Sequence, residues 1–252
     1  MRPDLKFVGV GLACFLFFLI AFFPARAGFA LFAPGTVSGF GFSGSIWNGS
    51  AKIINAGGQQ LRNTEWDIAL TQLMLGRIGG DFKTRWSGGF AEGFGTISVA
   101  GTLRLSETQA STDAAALQIV PGAPPLGGQI TLQIDELKLD DNWPSHLIAQ
   151  AAVTNLSSAM MGSGPAALIG NFEVEFDSTL EIDPNVLTGN ISDTGGPLEL
   201  TGTLLVEAPA NYTLKTRLKA RPDAPASLQK NLEFLGSPEA DGSRFFQFAG
   251  SL

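Results

Sequence analysis

Residues 128–139, GQITLQIDELKL, decide the fold class of this chain. Apolar residues alternate with polar ones and resume after a slip of register, as Ile130, Leu132, Ile134, Leu137 and Leu139. An extended strand turns successive side chains to opposite faces, so a period of two gives one apolar and one polar face. The stretch therefore predicts a half-buried strand of an antiparallel sheet.

Similar alternation on both sides of this stretch predicts further strands. They are expected at 36–54, 61–70, 81–86, 90–105, 146–156, 168–182, 197–207, 212–220 and 245–252. Asn48-Gly49 is predicted to form a tight hairpin turn, and Gly101 a bulge or bend. Residues 71–78 are expected to form a short helical connector. Residues 106–128 are polar and then Pro-rich, and predict a long loop enclosing a short strand at 115–120.

One stretch near the C-terminus has the pattern of an amphipathic helix. Leu228, Leu232 and Leu235 recur at helical spacing, Asp223 is placed to cap the first turn, and Gly236 to end the last one. We therefore predict a helix over 224–235. The strand after it is expected to cover a sheet edge, whose backbone groups would otherwise stay unpaired, and to bury its three aromatic side chains, Phe245, Phe246 and Phe248.

The N-terminus carries a different signal. Residues 7–23, FVGVGLACFLFFLIAFF, are uncharged and apolar, and as a helix they would span about 26 Å. Arg2 and Lys6 precede the run, which places the N-terminus in the cytoplasm and the remainder across the membrane. Ala25 and Ala27 fit a signal-peptidase site, so the segment is either a permanent anchor or a cleaved signal. Both interpretations export the rest of the chain.

Together these patterns predict an all-β, mainly antiparallel fold. We expect one long, curved open sheet or groove-like β domain with one short C-terminal helix, preceded by a single N-terminal transmembrane helix. The predicted divisions are residues 1–27, a cytoplasmic tip and transmembrane anchor, and residues 28–252, a β-rich domain that starts with a short stalk over 28–36. The 31 Gly and 14 Pro residues supply the turns of such a fold.

Composition narrows the function classes. The net charge is −7 and no basic stripe is present, so nucleic-acid binding is excluded as a function. Cys14 is the single cysteine and lies in the apolar run, where it is expected to be an inert membrane residue. The exported part contains no cysteine, so its stability has to come from its core.

The search for catalytic or metal-binding residues yields only isolated candidates. A Ser-His-Asp triad or a zinc site would have to use His146, the single histidine, which is interpreted as a surface or strand-start residue. The pairs Asp135-Glu136 and Asp140-Asp141 could bind a cation weakly, but are read as solvated edge-strand charges. Acidic residues at 173–183 are expected on one solvent-exposed strand face, and the four tryptophans in the core or at its rim: Trp47, Trp66, Trp86 and Trp143. We predict no catalytic, cofactor-binding or metal-binding residue and no cofactor.

The order of several short motifs resembles the type II secretion system protein N family. The C-terminal pieces are Tyr212-Thr213-Leu214, Arg221-Pro222, Leu235-Gly236-Ser237-Pro238, Asp241-Gly242-Ser243-Arg244 with Ser243 inserted, and Gly250-Ser251-Leu252. The N-terminal and central pieces are Phe23-Pro24-Ala25, the stretch GSIWNGSA at 44–51, LMLGR at 73–77 and Gly195-Gly196-Pro197-Leu198. The likeness covers nearly the whole chain apart from residues 106–165.

This resemblance implies a single-pass inner-membrane protein whose periplasmic domain supports the assembly or export function of a Gram-negative secretion machine, without catalysis. Its partners would be other type II secretion components and the membrane. A weaker similarity in style, to envelope proteins of the AsmA-like group, implies an alternative: a curved sheet whose hydrophobic groove binds or handles lipid.

Overall fold

A computed structural model describes residues 5–117, 126–141, 143–159, 168–181 and 183–251. Within them the chain separates into two compact units, Met1–Val99 and Ala100–Leu252. Both units are built mainly from antiparallel strands, so the predicted all-β class is confirmed. The curvature of the sheet stays a prediction.

The first unit contains three helices and six strands. Its helices are α1 (Leu5–Ala21), α2 (Ala25–Phe32) and α3 (Leu70–Met74). Its strands are β1 (Ser38–Phe40), β2 (Ser43–Gly44), β3 (Asn48–Ala56), β4 (Gln59–Ile68), β5 (Arg77–Trp86) and β6 (Gly89–Ser98). β1 and β2 both pair with β3, and β3 to β6 pair in chain order. Sequential antiparallel pairing of this kind needs only short connections.

In its described residues, the second unit is an eight-stranded meander with one α-helix. Its strands are β7 (Leu103–Asp113), β8 (Leu126–Asp140), β9 (Trp143–Ser158), β10 (Leu168–Asp177), β11 (Val186–Gly195), β12 (Leu198–Glu207), β13 (Asn211–Ala220) and β14 (Arg244–Ser251). Each strand pairs with the next along the chain. The helix α4 (Ala226–Glu233) lies between β13 and β14 in sequence.

The core of the second unit forms where α4 packs on the sheet. Leu228 is 1% exposed and Leu232 5%, and both lie in one cluster with Phe172, Leu198 and Leu218. The helical spacing of leucines therefore predicted the buried side of α4 correctly. The capping prediction was wrong, because Pro225 occupies the N-cap position and no side chain caps the helix. Gly236 does adopt a positive φ of 102° just after the helix.

The predicted register slip in β8 is confirmed. Pairing with β9 shifts between Ile134 and Glu136, and Glu107 of β7 adopts a positive φ of 48° at the matching position. A bulge of this kind lets the alternation resume on the same face of the sheet.

The connections differ from expectation in the first unit. The turn between β2 and β3 is formed by residues 45–47, while Asn48 and Gly49 already belong to β3, so the predicted Asn48-Gly49 hairpin turn was wrong. The reversal after β3 instead uses Gly57 and Gly58, both at positive φ. The stalk predicted over 28–36 is largely the helix α2.

Further corrections concern strand boundaries. The single strand predicted over 90–105 is divided between β6 and β7, with Gly101 at φ 85° in the connection. The loop predicted from residue 106 begins only after Asp113, where residues 114–117 form a turn of 3₁₀ helix and not a strand. The rest of the predicted strand at 115–120 lies outside the described residues. β11 was not predicted at all.

The N-terminal helix α1 has 17 residues, and its side chains are largely exposed. In the part of the chain that the structure describes, no helix reaches the length and hydropathy needed to cross a membrane.

Candidate functional site

The sheet of the second unit has one apolar face, here called the inner face. Cross-strand partners share a face, and the register aligns Ile134, Ala149, Phe176, Gly189, Leu204, Leu214 and Phe248 in one row across seven strands. A second row contains Leu132, Ala151, Val174, Ile191, Gly202, Thr216 and Phe246. The sequence alternation in β8, β10, β12 and β13 predicted this face.

The helix α4 covers one end of the inner face. There Phe172, Leu198 and Leu218 are buried in the core with the helix. Further along the strands, Val174, Leu204 and Leu214 stay half-buried, and Phe248 is 50% exposed. The inner face is therefore part core and part accessible apolar surface.

Gly189 shapes the accessible part of the inner face. A Cβ at this position would lie 2.7 Å from the Phe176 ring and 2.9 Å from a methyl group of Val174. The ring of Phe176 therefore occupies the space that a side chain on β11 would need. On β11, the middle strand of the row, no side chain projects from the inner face at Gly189. This close packing explains why a glycine stands inside a strand.

The outer face of the same sheet is polar. On β13 the exposed Lys215, Arg217 and Lys219 alternate with the inner-face residues, and on β10 the Glu173 side chain accepts a hydrogen bond from Gln150. The prediction that acidic residues over 173–183 share one strand face is only partly right, because β10 ends at Asp177. Glu181 instead accepts the backbone N–H of Thr188 at 2.8 Å.

An arginine clamp holds the turn between β11 and β12. The guanidinium of Arg221 donates to the carbonyl of Gly196 and to the carboxylate of Asp193, which also accepts the backbone N–H of Leu200 at 3.3 Å. The hydrogen bond that Arg221 donates to the carboxylate of Asp193 raises the pKa of Arg221. Two of the short motifs, the Arg-Pro turn and Gly195-Gly196-Pro197-Leu198, thus meet at one structural contact.

The structure brings two side chains to His146. Its Nδ1 lies 3.1 Å from Oγ of Ser178, and its Nε2 lies 3.2 Å from Oε2 of Glu136. The Ser178 hydroxyl also accepts the backbone N–H of Leu147 at 2.8 Å. Sequence reasoning did not identify Ser178, since 32 positions separate it from the histidine. Because the Glu136 side chain is 66% exposed, the carboxylate stays in water, and the contact links β8, β9 and the end of β10.

In the second acidic pair, Asp140 already accepts hydrogen bonds from protein groups. Asp140 accepts hydrogen bonds from Lys138 at 2.5 Å, Ser145 at 2.6 Å and Thr102 at 3.1 Å. These bonds, led by that of Lys138, lower the pKa of Asp140 to about 2. In the described ranges, no three histidine, cysteine or carboxylate residues lie close enough to hold a metal ion. Both acidic pairs lie on or next to β8, an internal strand, so their placement on an edge strand was wrong.

Three tryptophans donate their indole N–H to backbone carbonyls. Trp66 bonds to Ile46 at 3.1 Å, Trp143 to Pro184 at 2.8 Å and Trp47 to Ile20 at 2.8 Å. Half-buried rings with a satisfied N–H fit the predicted role in packing at the rim of the core.

Comparison with known proteins gives one match. The model of a protein family described as type II secretion system (T2SS), protein N, matches residues 36–247. Neither the curated proteins nor the solved structures contain a match to this chain.

Proposed function

The chain belongs to the type II secretion system protein N family, and from this premise we propose that it is a non-enzymatic component of the secretion system that supports its assembly or its export step. The match over residues 36–247 carries this proposal, since it covers nearly all the strands of both units. Its partners would be other components of the same machine.

We propose in addition that the N-terminal segment anchors the chain in the inner membrane and that the remainder lies in the periplasm. Residues 7–23 carry no charge, and their side chains are mostly exposed on α1. Exposed apolar side chains over such a length need a nonaqueous environment, and the positive charges before the run favour a cytoplasmic N-terminus.

The inner face provides the surface on which the proposed support function can be tested. Phe248 and Gln247 are neighbours on the edge strand β14, both exposed, but they point to opposite faces of the sheet. If a secretion component docks on the inner face, Phe248→Asp should reduce export of a secreted enzyme, and Gln247→Asp should leave it unchanged. The assay is complementation of a strain that lacks the gene.

Copurification of the full chain from the membrane fraction gives a second readout. Recovery of other secretion components with the wild type but not with Phe248→Asp supports docking on the inner face. An equal loss with both variants would assign the effect to the edge strand, and normal export with Phe248→Asp would exclude Phe248 from docking.

Lipid handling on the inner face is the second candidate function. The half-buried Val174, Leu204 and Leu214 of the inner face, with the Phe176 ring packed over Gly189 between them, offer apolar contact to an acyl chain. Native mass spectrometry of the detergent-exchanged full chain tests this function. Retained phospholipid that disappears in Leu204→Glu, but not in the outer-face variant Thr203→Glu, would favour it, and lipid-free wild type would favour the scaffold.

The proposed absence of catalysis is tested at His146. His146→Ala and Ser178→Ala remove the two hydrogen-bonding side chains that a triad would need, and we expect export to remain at the wild-type level. Loss of export in both variants, with unchanged thermal unfolding, would require a chemical role for this contact.

A further inference from the structure

The end of the first unit that lies near α1 carries an exposed apolar surface. We call it the α3 patch, and it consists of Leu70, Met74, Leu75, Ile78, Ile97 and Val99. Met74 is 90% exposed and Val99 95%, and more than half of each of the other side chains is exposed. Soluble surfaces rarely collect so many large apolar side chains in one place unless the surface has a partner.

The pairing register gathers these residues at one end of the sheet. Arg77 at the start of β5 faces Ser98 at the end of β6, so Ile78 lies directly opposite Ile97. α3 connects the end of β4 to the start of β5, and the N–H of Ala69 bonds to the carbonyl of Gly79. Val99 follows β6 at the same end.

The apolar helix α1 ends at this same end of the sheet. The indole N–H of Trp47 donates to the carbonyl of Ile20, and the carbonyl of Trp47 accepts the N–H of Ile68 at 2.6 Å. Ile46 donates its N–H to the carbonyl of Phe23 at 2.9 Å. Trp47 therefore joins the last turn of α1 to the end of β4, two residues before α3 begins.

We infer that the α3 patch contacts the lipid surface from which α1 emerges, inserting its apolar side chains between the headgroups of the outer leaflet of that membrane. This inference rests on the proposed anchoring of α1. The occupant follows from continuity, because an apolar surface beside the end of a membrane helix meets lipid before it meets any other partner.

The distribution of charged residues around the α3 patch fits contact with a lipid surface. Residues 68–76, IALTQLMLG, contain no charged side chain, and the exposed Arg26 lies in the first turn of α2, which follows α1. The nearest carboxylates on β4 and β5 belong to Asp67 and Asp81, which lie opposite each other in the strand register and farther from α3 than the patch. The patch can therefore enter the interface while these acidic groups stay in water.

The length of α1 gives a physical reason for contact between the α3 patch and lipid. Seventeen residues span about 26 Å, which is less than the hydrocarbon thickness of roughly 30 Å. A short apolar helix costs free energy through thinning of the bilayer around it. Apolar side chains seated beside its end extend the hydrophobic length of the protein and reduce that mismatch.

Site-specific fluorescence quenching tests the inference on the full chain. Cys14→Ala removes the single cysteine, and Met74→Cys or Gln59→Cys then introduces one labelling position for a bimane dye. Gln59 is a matched control because it is exposed and lies at the opposite end of β4, about 30 Å away along the strand. The labelled chains are reconstituted in vesicles of phosphatidylethanolamine and phosphatidylglycerol with brominated acyl chains.

We expect brominated lipid to quench the dye at residue 74 and to leave the dye at residue 59 unquenched. A third label, at Val99→Cys, should be quenched like that at residue 74. Resistance of the chain to alkaline carbonate extraction tests the anchor separately. A chain that is retained but unquenched at 74 and 99 overturns this inference alone, whereas a chain that is extracted overturns the anchor and the inference together.

Discussion

The helices α3 and α4 show two uses of the same residue type. Both are short and rich in leucine, and each lies beside the sheet of its own unit. α4 buries Leu228 and Leu232 in a core that several strands share, whereas α3 has no buried residue and leaves Met74 almost fully exposed. Hydrophobic content alone therefore does not decide whether a helix stabilises the fold. The position of its apolar residues relative to the sheet does, and the apolar surface of α3 is available for contact outside the unit.

Among the changes that test this contrast, deleting residues 244–252 should destabilise the chain most. The deletion removes β14 from its pairing with β13 and removes Phe246, which packs against the core that α4 completes. We expect the second unit to lose its cooperative unfolding and the chain to fail to accumulate. The control is the double substitution Phe245→Ala and Gln247→Ala on the outer face of the same strand. A truncated chain that accumulates with unchanged melting would refute the expectation.

Leu228→Ala compared with Leu75→Ala tests the contrast directly. Because Leu228 is fully buried, its truncation leaves a cavity and should lower the free energy of unfolding by about 2–5 kcal/mol. Leu75 is exposed next to α3, so its truncation should change the free energy of unfolding by less than about 0.5 kcal/mol. Urea denaturation of the full chain in detergent measures both. Equal effects would mean that α3 is packed as tightly as α4.

Arg221→Lys tests whether the hydrogen bonds of Arg221 to Gly196 and Asp193 stabilise the chain just before α4. A lysine keeps the charge but lacks the planar fork by which two guanidinium nitrogens reach Gly196 and Asp193, and the Asp193 side chain is only 10% exposed. We expect a lower melting temperature, with a smaller change than for Leu228→Ala. Arg217→Lys is the control, since Arg217 forms an exposed ion pair with Glu239 at 3.4 Å. If the two variants melt alike, the bidentate contact does not stabilise the unit.

Asp140→Asn should change the melting temperature least, and by an amount that depends on pH. The folded state lowers the pKa of Asp140 to about 2, so the ionised carboxylate stabilises the folded chain at pH values above its unfolded pKa of about 4. The difference in melting temperature between wild type and variant should be present at pH 6 and vanish as the pH falls through about 2. Asp141→Asn, at the exposed neighbouring position, is the matched control for the loss of a carboxylate. A difference that grows on acidification would contradict this assignment.

Periodicity predicted most of the strands because they alternate strictly. In β8, β10, β12 and β13 the apolar positions fall on the inner face with few interruptions, and the leucines of α4 recur at helical spacing. These patterns report which side of an element is buried, so they led to the correct class and to the apolar surface of the candidate site.

The missed elements have local physical causes. β11 reads VLTGNISDTG, and the glycine at its centre looks like a strand breaker, although it is required by the Phe176 ring of the neighbouring strand. The Asn48-Gly49 pair looks like a turn, but Gly49 is needed in β3 because the Trp66 ring lies 2.6 Å from where its Cβ would be. Single-sequence patterns cannot separate a glycine that turns the chain from one that makes room for a ring.

The exposure of individual apolar side chains could not be predicted from the sequence, because it depends on how elements distant in sequence pack together. Phe245, Phe246 and Phe248 were all expected to be buried, yet Phe245 and Phe248 remain about half exposed and only Phe246 reaches the core. The end of α4 determines how far along β14 the inner face is covered. Likewise, the LMLGR stretch is apolar in sequence, but the structure places its side chains outside the core.

The bond between Trp47 and Ile20 restricts how the sheet of the first unit moves relative to the helix α1. The last carbonyls of a helix lack the i+4 partner of the interior carbonyls, and here the carbonyl of Ile20 accepts the indole N–H of Trp47 together with the backbone N–H of Phe23 at 3.2 Å. Swivelling the sheet about the helix axis would break this bond and the one between Ile46 and Phe23. The helix and the sheet therefore turn together, so a torque on α1 would be transmitted to the strands instead of being lost in a slack connection.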